Sequence, residues 1–226
     1  MHTGAATRWW WVRHAPVLCN DGKVYGQIDH PCDCGDRPTF QALARLLPKS
    51  AVWVTSGLQR TRQTAEAILA ESGERPALLA EPELNEQNFG QRQGRPYREV
   101  RSPAIGEWHR FWSSPLDGRV PGGESFADLC ERTARCIARL SQHYAGRDIV
   151  AAAHGGSVRG ALVLALGLAP EAAVRLVIDN CSLTRIDLVP GPLGSHRPDE
   201  REAWQVRFVN LAPALALTAQ NAVTPA

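Results

Sequence analysis

Three junctions along this chain set reactive side chains directly behind apolar stretches. Arg13-His14 follows Trp9-Trp10-Trp11-Val12, Arg60 follows Ala51-Val52-Trp53-Val54 by way of Ser56-Gly57-Leu58-Gln59, and His154-Gly155-Gly156 follows Ile149–Ala153. Arginine guanidinium groups are planar forks of N–H donors that match phosphate oxygens. A neutral imidazole is a nucleophile, and its second ring nitrogen can donate to a backbone carbonyl that fixes the tautomer. Together, His14, Arg13, Arg60 and His154 would surround a dianionic phosphoryl group, with His14 placed to accept it covalently. Phosphoryl transfer asks chiefly for positioning and charge stabilisation, which this set supplies. The leaving alkoxide then needs a proton. Glu86, in Leu84-Asn85-Glu86-Gln87-Asn88-Phe89-Gly90, is the candidate general acid, because surrounding phosphate oxygens favour a protonated carboxyl. As a carboxylate, the same residue would activate water against the phosphohistidine.

Such residues converge only if the elements carrying them are neighbours. Arg8–Val12 reads as a short aromatic-rich strand. Residues 15–37 are turn-rich, Phe40–Leu47 fits a helix stopped by Pro48, and Ala51–Val54 is a second strand. Ser56 and Gln59 have capping-box spacing for the next helix, whose apolar face continues through Ala65, Ile68 and Leu69. Arg60 falls in its first turn, where unpaired N–H groups favour an anion. Residues 76–79 form a possible third strand, and 82–122 are irregular with short helices around Trp108–Trp112. A stretch that long inside a domain is usually functional. Ser125-x-x-Asp128 opens the best helix, with Phe126, Leu129, Cys130, Thr133, Cys136, Ile137 and Leu140 at helical spacing. Asp148–Ala153 is a buried strand, followed by a helix bearing Val158, Ala161, Leu162, Ala165 and Leu166. The last strands are expected within 173–188 and 204–208, and the tail after Pro213 is expected to pack loosely. Strands alternating with helices predict an α/β fold: a three-layer sandwich with a mostly parallel central sheet and helices on both faces. In such sheets ligands bind beyond the carboxyl ends of the strands, where His14, Arg60 and His154 lie. One domain over 1–226 is expected, with 82–122 as an active-site elaboration.

Composition narrows the alternatives. The 226 residues are 44% hydrophobic and 21% charged, the range of an ordinary globular chain. A net charge of +2, without runs of like charge, gives no electrostatic case for nucleic acid. No apolar run approaches the roughly 20 residues that span a bilayer, and the N-terminus lacks a signal peptide's apolar core. A cytoplasmic protein, monomer or homodimer, is the simplest expectation. Of six cysteines, Cys32 and Cys34 form the close pair. With no second pair and no well-spaced histidine, this is a loop with two reduced thiols rather than a zinc site. No metal and no cofactor is expected.

The ordered motifs resemble the histidine phosphatase superfamily, in its phosphoglycerate-mutase-like branch. Arg13-His14-Ala15 resembles its RHG motif, and Asn20 falls where many members place an Asn near the phosphate. Ser56–Ala65 resembles the S-x-L-x-R-x-x-Q-T-A helix, with Arg60 at the phosphate-binding arginine. Leu84–Gly90 resembles the segment carrying the acid, Pro121-Gly122-Gly123-Glu124-Ser125 the turn before the long helix, and His154-Gly155-Gly156 the second histidine motif. Ala15, Pro16 and the 29–36 loop depart from the family pattern. The resemblance implies a phosphomonoesterase acting on a small phosphorylated metabolite, with His14, Glu86 and His154 catalytic and Arg13, Arg60 and Asn20 on the phosphate. Gln27, Glu124 and Gly155 are possible substrate-binding residues. Family mutases typically carry His-Gly-Asn-Ser, whereas this chain has His154-Gly155-Gly156-Ser157, closer to the phosphatases. Mutase-type phosphotransfer, for which Arg92, Arg95, Arg98, Arg101 and Arg110 could bind a second anion, is the alternative. A weakly active phospho-ligand-binding relative is another.

Overall fold

The tryptophan run builds the middle of a six-stranded sheet. The computed structural model describes residues 4–18, 21–100, 118–190 and 202–215. Strand β1 (Thr7–Arg13) lies between β4 (Asp148–Ala153), to which it is parallel, and β5 (Leu183–Pro190), to which it is antiparallel. β2 (Val52–Thr55) runs parallel to both β4 and β3 (Leu78–Ala80), and β6 (Glu202–Leu211) closes the other edge against β5. The order is β3-β2-β4-β1-β5-β6. Its first four strands are mutually parallel, β5 runs against them and β6 runs against β5, in keeping with the predicted mostly parallel sheet.

Alternation divides the tryptophans between the faces. Trp9 and Trp11 stack with ring centroids 5.1 Å apart and join Ile137, Leu140, Val158 and Leu162 in one core. Those partners come from α4 (Phe126–His143) and α5 (Gly155–Leu166). Trp10 points to the other face, where Phe40, Leu43, Ile68 and Leu69 pack on Val12 and Trp53. These belong to α1 (Arg37–Leu46) and α2 (Gln59–Ser72). β4, buried on both sides by the two helix layers, is almost wholly apolar after Asp148, as a central parallel strand requires.

The capping box at Ser125 and Asp128 forms as its spacing predicts. The one at Ser56 does not: α2 is preceded by Leu58, which makes no side-chain cap. The Ser56 hydroxyl turns toward His154 instead. The strand expected across 173–188 is also corrected. Pro170–Ala173 forms one helical turn (α6), and β5 begins only at Leu183 after a turn in which Cys181 takes a φ of 58°. Apolar alternation through Val174, Leu176 and Ile178 mimics a strand, but the carbonyls of Leu176 and Ile178 go to arginine side chains rather than to a ladder. Within the irregular segment lie 3-10 turns at Pro82–Leu84 and Gly90–Arg92 and a one-turn helix, α3 (Tyr97–Val100). The helices expected around Trp108–Trp112, Arg101 and Arg110, and most of the tail after Pro213 lie outside the described residues. Among the described residues, no helix is long and apolar enough to cross a membrane.

Candidate active site

Sheet register levels the three junctions. Arg13 pairs with Ala153 and Thr55 with Ala152, so β1, β4 and β2 end side by side. His14, His154 and Ser56 are the next residues of their strands. The His14 N–H donates to the Ala153 carbonyl at 2.9 Å, and the two imidazole centroids lie 5.1 Å apart.

His14 is fully buried. Its Nδ1 lies 2.7 Å from the Ala15 carbonyl, which can only accept, so the proton sits on Nδ1 and Nε2 carries a lone pair. Among the described residues, Nε2 has no hydrogen-bond partner. Burial, and then the charges of Arg60 and Arg13, push the ring's pKa down to about 3, against only partial opposition from the Ala15 hydrogen bond. The ring is therefore neutral around pH 7. Asn180 Nδ2 donates to the His14 carbonyl at 2.7 Å and holds the turn from below.

His154 is equally buried. Its Nε2 meets Ser56 Oγ at 2.8 Å, while its Nδ1 has no partner among the described residues. Burial first, then Arg60 and His14, lower its pKa well below the ordinary value.

Arg60 is fully buried and donates to the carbonyls of Ile28 and Gly26, at 2.9 and 2.6 Å. Its guanidinium carbon stands 5.1 Å from the Tyr25 ring centroid. Burial lowers its pKa, with Glu86 the foremost opposing charge, yet a guanidinium remains cationic at neutral pH. Arg13 donates to the Ile178 carbonyl. The Nε atoms of both arginines are buried and have no partners among the described residues. Several N–H groups around the start of α2 are already taken: Gly57, Leu58 and Gln59 donate to Asn85 Oδ1, Ser56 Oγ and Asp29 Oδ1.

At the start of α5 the acid that is met is Glu86. Gly156 N donates to Glu86 Oε1 at 3.1 Å, and Gln87 N donates to the same oxygen at 2.9 Å. An N-terminal helix N–H and the dipole behind it favour a carboxylate. Gln27 Nε2 donates to the Glu86 carbonyl at 2.9 Å, so Gln27 supports this turn. Gly155 lies against the side chains of Arg13 and Arg159. Asn20 lies outside the described residues. Glu124 is placed differently from a substrate ligand: its carboxylate is taken by Arg132, at 2.7 and 2.9 Å, and by Asn88 N at 2.8 Å.

Sequence reasoning missed Ser56 as the partner of His154, together with Arg132 and Arg159. Arg159 lies one helical turn beyond Gly155-Gly156, and its Nε donates to the Leu176 carbonyl. Burial lowers its pKa, and Glu86 and Arg13 are the charges it feels. A polar residue one turn into a helix that starts at a site lies above that site, and this spacing was a usable signal. Cys32 and Cys34, with sulfurs 3.6 Å apart, are free thiols, and Cys32 Sγ rests on the Arg60 carbonyl at 3.3 Å. Burial and Cys32 push the Cys34 thiol up to about 12, so it stays protonated at neutral pH. Among the described residues, the group that could offer three metal ligands is Glu81, Glu83 and Cys136, and there Arg139 bonds both carboxylates.

Known proteins share this architecture. The α-ribazole phosphatase of Shigella flexneri superposes with a TM-score of 0.73 at 23% identity, over 90% of this chain and 96% of that one. The mycobacterial glucosyl-3-phosphoglycerate phosphatase gives 0.74 at 22% identity, over 91% and 99%. In sequence, "Probable phosphoglycerate mutase GpmB" of Yersinia enterocolitica is 31% identical over 185 residues, 80% of this chain and 85% of the relative. The Klebsiella pneumoniae protein of the same name matches at the same level. The sequence model of the histidine phosphatase superfamily (branch 1) matches residues 9–195, and the chain belongs to that superfamily.

Proposed function

We propose that this protein is a phosphomonoesterase that hydrolyses a small phosphorylated metabolite through a phosphohistidine on His14. The observation that carries the reading is the buried Nε2 of a neutral His14 beside the Nε donors of Arg13 and Arg60 and the Nδ1 of His154, all without partners among the described residues. The donors hold the phosphoryl oxygens while the Nε2 lone pair attacks phosphorus. The phosphorus–oxygen ester bond breaks, and the leaving oxygen takes the proton of Glu86. The Glu86 carboxylate then takes a proton from water as that water attacks phosphorus. The phosphorus–nitrogen bond breaks, releasing inorganic phosphate and restoring His14 with its lone pair. Arg13, Arg60, His154 and Asn20 bind phosphate, and Gln27 and Gly155 border the site. No step calls for a metal or cofactor.

The names of the GpmB relatives favour a second reading, transfer between hydroxyls of a phosphoglycerate. The test is a screen of phosphorylated metabolites in the presence of a chelator, including 3-phosphoglycerate with 2,3-bisphosphoglycerate. Hydrolysis with an acid-labile phosphoenzyme, lost in His14→Ala, is expected. Full activity in His14→Ala would overturn the mechanism, and mutase turnover above hydrolysis would replace the first reading with the second.

A further inference from the structure

Helix α4 stands outside the reacting groups, yet one of its side chains reaches into the turn that carries Glu86. Arg132 spends its fork on four oxygens. Nε and Nη2 take the two carboxylate oxygens of Glu124 at 2.9 and 2.7 Å, Nη1 takes the Glu83 carbonyl at 2.6 Å, and Nη2 also takes the Glu86 carbonyl at 3.1 Å. Glu124 passes the restraint on, because Asn88 N donates to its Oε1 at 2.8 Å. Residues 83, 86 and 88 are thus all tied to one guanidinium. The pair is largely covered, with side-chain exposures of 13% and 18%, so solvent screens it little. Charge-assisted, bidentate bonds of this kind are short and directional. The helix beneath is rigidly seated by Leu129, Thr133 and Ile137, all buried. Leu129, one turn before Arg132, also underlies Gly156, the residue whose N–H meets the Glu86 carboxylate.

We propose that Arg132, directly and through Glu124, is a positioning residue for proton transfer: it fixes the main chain of the Glu86 turn so that the carboxyl stands on the start of α5 at Gly156. The inference rests on the reading of Glu86 as proton donor. A lysine in its place keeps the charge but cannot hold four oxygens.

Leaving-group dependence tests this. An alkyl phosphate such as glycerol 2-phosphate needs its leaving oxygen protonated far more than p-nitrophenyl phosphate does. The quantity compared is kcat/KM, which reports on the steps through departure of the alcohol. Arg132→Lys should lower it at least about tenfold more for the alkyl ester than for the aryl ester, the scale expected when a reacting group is misplaced by about 1 Å. Glu86→Gln should show the same selective loss, larger. Should Arg132→Lys fail to fold, Glu124→Gln takes its place in the same comparison. A selective loss in Glu86→Gln with an equal loss, or none, in the Arg132 or Glu124 variant overturns the positioning role alone. An equal loss on both esters in Glu86→Gln overturns the proton-donor reading and this inference with it.

Discussion

The N–H of Gly156 and the carboxylate of Glu86 meet at 3.1 Å across a gap that admits no side chain. A Cβ on Gly156 would overlap Glu86 Oε1 and come within 2.8 Å of Leu129 Cδ1. The glycine therefore does two things: it supplies the helix-start N–H, and it leaves room for the carboxylate to reach it. The turn that carries His154 thereby also meets the Glu86 carboxylate.

Gly156→Ala should accordingly displace Glu86 while leaving His14 untouched. Overpacking against Leu129 should cost about 1–3 kcal/mol in stability, read by denaturant unfolding. Alkyl phosphate turnover should fall by about 10²-fold, within the range for loss of general acid catalysis. A phosphoenzyme should still form from p-nitrophenyl phosphate, because its leaving group needs no proton. Wild-type turnover of alkyl esters in Gly156→Ala would show that Glu86 works from another position.

Much of this arrangement was readable along the chain. Buried strands announce themselves by aromatic or apolar runs that stop at Arg13-His14 and His154-Gly155, and a parallel sheet aligns such ends without further information. The His14 tautomer was readable too, since a histidine following a strand has a backbone carbonyl within reach. Ser56 was misread because its spacing to Gln59 satisfies a local capping rule, whereas a tertiary partner, His154, claims the hydroxyl. Arg132 escaped because an arginine beside the apolar stripe of a long helix is indistinguishable in sequence from a solvated one. Only the approach of residues 83–88 shows what its fork holds.

The two buried imidazoles make stability depend on pH. His14 has a folded pKa of about 3 against an ordinary value of 6.5, so between these values the unfolded chain binds a proton that the folded chain refuses. His154 is shifted in the same direction. Stability from these groups is complete above about pH 6.5 and falls steadily as the solution is acidified toward pH 3. The melting temperature should drop over this window, and His14→Gln, which cannot titrate, should drop less. Parallel slopes for wild type and variant would show that His14 is not held neutral in the fold.

Ser56→Ala removes the hydroxyl that meets His154 Nε2 at 2.8 Å. A buried ring nitrogen then loses its partner, at a cost of about 1–3 kcal/mol. The functional effect follows from orientation: without the serine oxygen, the His154 ring can turn and carry Nδ1 away from its place beside His14. Inhibition by phosphate or vanadate should weaken, with KM rising alongside. A variant that loses stability yet binds phosphate as tightly as wild type would limit Ser56 to a packing role.

Arg60→Lys probes whether the buried cation serves as charge or as fork. The guanidinium donates to the carbonyls of Gly26 and Ile28, and its Nε has no partner among the described residues. An ammonium has three donors on one atom and cannot serve two loop carbonyls and a phosphoryl oxygen from separate directions. The loop carbonyls stand in the folded enzyme before substrate arrives, so the phosphoryl contact is the one forfeited. Loss of a donor to the oxygens of the transferring group should lower kcat/KM by about 10²–10³-fold. Vanadate, which adopts the five-coordinate geometry of that transfer, should lose affinity by a larger factor than KM rises. Equal changes in the two would mean that Arg60 binds substrate and transition state alike and contributes no selective stabilisation.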